Sequence, residues 1–76
     1  MWEEQMLNEI KLTLPAARKN ANMTQKDLAS ALGVSVTTVA NWESGRTEPT
    51  ISQARKIGEL VDLHIDDIIF RRSDAV

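Results

Sequence analysis

Residues suited to begin a helix and residues suited to end one alternate along this chain at intervals too short for any long helix between them. Thr13, Thr24, Ser35 and Thr50 are N-cap types, whose side-chain oxygen accepts from an amide of the first turn. Asn20-Ala21-Asn22, Gly33 and Gly45 are stops, the glycines because they take positive φ without a steric penalty. A chain punctuated in this way folds as a set of short helices. Each must bury its apolar stripe against the others.

The spacing predicts five such segments. The first covers about residues 14–21, with Pro15 in its first turn, where a missing N–H costs little. Leu14 and Ala17 share a face, with Arg18 beside them. The second runs from Gln25 to Leu32. Thr24-Gln25-Lys26-Asp27 reads as a capping box with Asp in place of the usual Glu, and Leu28, Ala29 and Leu32 form the inward stripe. The third covers Val36 to Ser44, with Val39 and Trp42 on one side and Thr37, Ala40, Asn41 and Ser44 on the other. The fourth follows Glu48-Pro49. Thr50 caps it, Gln53 completes a capping box, and Ile51, Ala54, Ile57, Gly58 and Val61 repeat at helical spacing. A fifth, short helix is expected over residues 65–70, on Ile65, Ile68 and Ile69, with Asp66 and Asp67 at its positive N-terminal end. Residues 1–12 admit two readings. Trp2, Met6, Leu7 and Ile10 fit a helical stripe, whereas Ile10, Leu12 and Leu14 alternate like a strand.

The 76 residues have room for one domain, placed at 13–70 between a short extension (1–12) and a tail (71–76). A domain of this size buries only about 60% of the surface its unfolded chain exposes. There is no cysteine, so neither disulfides nor thiolate–metal sites can staple it. Stability has to come from helix packing, helped by dimerisation. His64 is the only histidine, no nucleophile has an oriented base in view, and no glycine-rich phosphate loop is present. The expectation is a protein that is not an enzyme and carries no cofactor or metal. No apolar run approaches the roughly 20 residues that span a bilayer. The start, Met1-Trp2-Glu3-Glu4, is acidic where a secretion signal would be basic, so a cytoplasmic location is expected.

The net charge is −2, but its distribution is uneven. Glu3, Glu4 and Glu9 make the start acidic, and Glu59, Asp62, Asp66, Asp67 and Asp74 outweigh Arg71 and Arg72 at the end. Between them, Lys11, Arg18, Lys19, Lys26, Arg46, Arg55 and Lys56 outnumber Asp27, Glu43 and Glu48. A local basic patch steers toward a polyanion even when the whole protein is anionic.

The informative unit is the pair formed by the second and third segments across Gly33-Val34-Ser35. Two short helices joined by a tight turn, the second with one apolar and one uncluttered polar face, carry the helix-turn-helix signature. In that motif the second helix enters the major groove. The residues Thr24-Gln25-Lys26-Asp27-Leu28-Ala29, Leu32-Gly33-Val34-Ser35, Thr38-Val39, Asn41-Trp42-Glu43-Ser44-Gly45-Arg46 and Pro49 together resemble the phage-repressor and Cro family, the XRE type. The resemblance covers about residues 13–70. It implies an all-α fold, a compact five-helix repressor-like domain, dimeric on a pseudo-palindromic double-stranded operator.

The resemblance also implies roles. Gln25 and Lys26 stand at the start of the second helix, Gln25 where the family bonds a phosphate. Ser35, Val36, Thr37, Ala40 and Asn41 match base-facing positions. Arg46 and Thr47 match a loop that holds a second phosphate. Arg18 and Glu43 match a partly buried pair fixing the angle of the recognition helix. The chemistry of these side chains then predicts a preference for A·T-leaning half-sites: Asn41 suits adenine, Val36 and Ala40 suit thymine methyls, and no arginine or lysine projects from the face. The same fold has a competing use. Acidic ends, the extension and an apolar group of Trp2, Met6 and Leu7 suit a modulator that captures another repressor, as antirepressor or co-repressor, and an antitoxin role is a third reading.

Overall fold

The computed structural model describes residues 11–70. The expectations placed on residues 1–10 and on the tail 71–76 lie outside these residues. In chain order the elements are β1 (Leu12–Thr13), α1 (Leu14–Asn20), α2 (Gln25–Leu32), α3 (Val36–Ser44), α4 (Ile51–Val61), a 3₁₀ turn (Ile65–Asp67) and β2 (Ile68–Ile69).

Four helices form where the caps place them. Thr24 and Thr50 each make the full capping box, with Asp27 and Gln53 returning a side-chain acceptor to the cap amide. The oxygens of Thr13 and Ser35 cap α1 and α3 by accepting from Ala16 N and Thr38 N. Gly33 (φ 71°) and Gly45 (φ 80°) end α2 and α3 in the left-handed region. Asp62 does the same for α4 at φ 57°, without the freedom of a glycine.

The predicted fifth helix is not formed: the described residues hold four helices and one two-residue strand pair, a mostly helical fold. After the 3₁₀ turn the chain straightens, and β2 pairs in parallel with β1, Leu12 opposite Ile68 and Thr13 opposite Ile69. A six-residue helix would gain few hydrogen bonds against a costly nucleus. The β-branched Ile68 and Ile69 suit an extended backbone, and pairing with β1 buries Ile68 to 6% exposure. Leu12 therefore follows the strand reading of the extension.

The core draws on every helix: Leu14 and Ala17 from α1, Leu28 and Ala29 from α2, Val39 and Trp42 from α3, Ile57 and Val61 from α4, and Ile68 from β2. Leu14, Leu28, Val39 and Ile57 are fully buried. Each such side chain contributes about 1.5–3 kcal/mol relative to exposure. Ile51, expected on the inward stripe of α4, instead lies 66% exposed. It occupies the first helical position, beyond the edge of the core. Farther along α4, Gly58 leaves no room for a side chain. A methyl there would sit 2.8 Å from the backbone oxygen of Leu63, where the chain turns back over the helix.

Candidate nucleic-acid interface

The geometry of α3 is set by one carboxylate. Glu43, near its C-terminal end, accepts from Arg18 Nε at 2.6 Å and from Arg18 Nη2 at 3.2 Å, a bidentate fork between α1 and α3. It also accepts from Gln25 Nε2 of α2 at 2.9 Å. The third nitrogen of the guanidinium, Nη1, donates to the carbonyl of Met23 in the α1–α2 turn at 2.9 Å. Both charged side chains are about nine-tenths buried. The expected Arg18–Glu43 pair is thus present, and it is part of a wider network joining three helices.

Gln25 has a double position that sequence reasoning did not find. A carboxylate only accepts, so the amide nitrogen of Gln25 must face Glu43. A phosphate also only accepts. Gln25 thus uses one Nε2 proton on Glu43 and keeps a second for which no acceptor is found among the described residues. The signal available in the sequence was faint: a short amide residue at the helix start, with no mark of its distant partner.

The recognition positions divide into two strips. Val36 and Thr37 are exposed, and Ala40 and Asn41, one turn later, are half-buried. Among the described residues the side chains of Thr37 and Asn41 make no hydrogen bond with the rest of the domain. Ser35 is differently engaged. Its hydroxyl caps α3 at Thr38 N (3.0 Å) and pairs with Thr38 Oγ1 (2.9 Å). Trp42 is buried to 4% exposure, which assigns it to packing.

Cations border α3 at both ends. At its start an open groove is lined by Arg18, Lys19, Asn22, Gln25, Lys26 and Val36 among others. Lys19 and Lys26 are exposed. Past its end, the amides of Arg46 and Thr47 fold back to donate to Asn41 O at 2.9 and 3.3 Å, and both side chains remain exposed. Lys19 and Asn22 were not among the DNA contacts expected from sequence. Asn22 has a positive φ of 59°, which turns the chain between α1 and α2. Next to the groove, the capping box holds the carboxyl of Asp27 below the usual aspartate range, first through the amide of Thr24, then through its hydroxyl and the charge of Lys26. Trp2, Met6 and Leu7, the candidate partner-binding residues, lie outside the described residues.

Among the described residues no group of three or more His, Cys, Asp or Glu side chains is placed to hold a metal. Among the described residues no helix is long and apolar enough to cross a membrane.

Comparison with known proteins gives the same outline. A family model described as helix-turn-helix matches residues 16–68. The transcriptional repressor RstR of the cryptic phage CTXphi, from Vibrio cholerae, is 35% identical over 63 residues, 83% of this chain and 56% of that protein. This chain thus spans little more than half the length of that repressor. An uncharacterised HTH-type transcriptional regulator from Methanocaldococcus jannaschii is 40% identical over 53 residues, 70% of this chain and 80% of its own. A type II methyltransferase of Shigella sonnei is 35% identical over 60 residues, which are 75% of this chain but only 16% of that enzyme. No solved structure matches.

Proposed function

The chain belongs to the helix-turn-helix family, and from that membership we propose that it is a sequence-specific DNA-binding transcriptional regulator of the repressor type, with α3 as the helix that enters the major groove. The observation that carries the reading is the combination at α3: Thr37 and Asn41 side chains that make no hydrogen bond among the described residues, on a helix held by Glu43 and flanked by exposed Lys19, Lys26 and Arg46. The major groove is about 12 Å wide and admits such a helix, while the flanking cations suit the phosphates on either side. Gln25, Lys26, Arg46 and Thr47 position the domain on the backbone. Val36, Thr37, Ala40 and Asn41 face the bases. Ser35 serves by capping α3. Binding as a dimer to a pseudo-palindromic operator in the cytoplasm belongs to the same proposal, as does regulation without enzymatic activity. The methyltransferase match supports no catalytic reading, because the shared stretch is a small fraction of that enzyme.

The test is selection of binding sites from random duplexes, followed by affinity measurement across a salt series. Specific binding is expected, with log K falling linearly as log salt rises through counterion release. The double variant Thr37→Ala/Asn41→Ala is expected to lose preference for the selected site while keeping salt-sensitive, non-specific affinity. If no sequence is enriched and the protein instead captures another repressor, the modulator role replaces this one.

A further inference from the structure

The 3₁₀ turn that delivers β2 begins with a cap that can titrate. His64 Nδ1 accepts from the amide of Asp66 at 3.3 Å, and the same nitrogen lies 3.5 Å from Asp66 Oδ2. Only one of these contacts can be a hydrogen bond at a time. While its lone pair is free, Nδ1 accepts from the amide and the ring proton sits on Nε2. Once protonated, Nδ1 only donates, so the cap is lost and the carboxylate is the partner that remains. We propose that His64 is a proton-operated latch on the β1–β2 pair. Neutral, it caps the turn; charged, it exchanges the cap for an ion pair with Asp66. The inference concerns the segment after α4 and stands apart from the DNA-reading role.

The turn has little else to hold it. Its own backbone bonds are Asp67 N to His64 O at 2.9 Å and Ile68 N to Ile65 O, so the imidazole supplies a third. The chain before it is anchored, since Leu63 N donates to Gly58 O at 2.9 Å. The chain after it runs without a break into β2, where Ile68 and Ile69 pair with Leu12 and Thr13. A change at His64 is therefore passed forward to the strand pair and not back into α4. Around the ring, Arg55, Glu59 and Asp62 share its groove, and Asp66 and Asp67 follow on the turn itself. Asp66 also borders Lys11 and Glu48 on its other side. Of these residue types only histidine ordinarily changes charge between pH 5 and 8. The side chains of His64 and Asp66 are 70% and 84% exposed, so water screens the ion pair and it recovers little of what the cap gave. Protonation is thus expected to raise opening of the β1–β2 pairing about threefold.

The experiment uses the full chain with isotope-labelled histidine. His64 is the only histidine, so the ring signals belong to it alone. At about pH 8 nuclear magnetic resonance should find the proton on Nε2 and Nδ1 bare, and the amide shift of Asp66 should follow the ring titration. Hydrogen-exchange protection, corrected for the intrinsic rate at each pH, should fall about threefold at Ile68 and Ile69 between about pH 8 and pH 5, while α2 and α3 keep theirs. His64→Ser keeps a cap that cannot titrate and should abolish the fall. Asp66→Asn removes the ion pair and should deepen it. A neutral ring protonated on Nδ1, an equal fall in His64→Ser, or an equal loss in α2 would overturn the latch. Each of these results leaves the selected-site test of DNA reading untouched.

Discussion

The unit α2–turn–α3 and the segment that follows α4 are built from similar residues and fold by different logics. In the first, local and distant demands agree. Thr24 and Ser35 start the helices, Gly33 and Gly45 stop them, and the stripes Leu28–Ala29 and Val39–Trp42 enter the core where helical spacing puts them. In the second, local preference is weak. Ile65, Ile68 and Ile69 satisfy a helical stripe as well as a strand, and the choice is made by Leu12 and Thr13 at the far end of the described chain. A region specified locally is robust to changes elsewhere. A region specified by a distant partner depends on that partner being in place.

The largest test of this contrast lies in the network that locks α3. Glu43→Ala strands a guanidinium that is nine-tenths buried, and is expected to cost about 3 kcal/mol in urea unfolding, more than the pair contributes net. A chain of 76 residues supports a total of roughly 4–11 kcal/mol, so this is a large share. The apolar replacement Arg18→Met/Glu43→Leu should recover most of the stability. Failure to recover would mean the network holds the fold and not merely the angle of α3.

Next is Gly58→Ala, where a methyl would press on the carbonyl of Leu63 at 2.8 Å. It should cost about 2 kcal/mol by displacing the turn that delivers β2. Hydrogen exchange should then quicken at Ile68 and Ile69 before it does in α2 or α3. Equal acceleration throughout would show that the two regions open together.

Asp62→Gly should act in the opposite direction. It relieves a left-handed aspartate and removes a negative charge from the C-terminal end of α4, for a gain of about 1 kcal/mol in thermal unfolding. The smallest effect belongs to Asp27. Its folded pKa is lowered, so the stability it adds is in place above its unfolded pKa of about 4 and is lost as pH falls through the folded value. Asp27→Asn should flatten that part of the acid limb by giving up a small stability at neutral pH and none in strong acid, as read by urea midpoints along a pH series.

What could be read from the sequence follows the same division. The four helices and their caps were legible because Thr13, Thr24, Ser35, Thr50, Gly33 and Gly45 act on backbone groups within a few residues. The Arg18–Glu43 pair was reached through the family resemblance, since two charges on separate helices carry no periodic signal. Gln25 as a third member was missed for the same reason. Ile51 was misplaced because helical spacing gives the direction of a side chain but not where the core ends. The fifth helix failed because its alternative required a partner that no local pattern reveals.

The parallel register of β1 and β2 has a further consequence. Leu12 and Ile68 are side by side and both strands run the same way, so Lys11 enters at one end of this short pair and Phe70 leaves at the other, only a few residues of strand apart. A linker of about five residues, each spanning up to about 3.4 Å, is long enough to join them into a ring. The backbone could then be opened at Val34, in the turn before α3. Such a circular permutant would show whether the reading helix keeps its seat when its covalent tie to α2 is cut and only Glu43 and the core retain it.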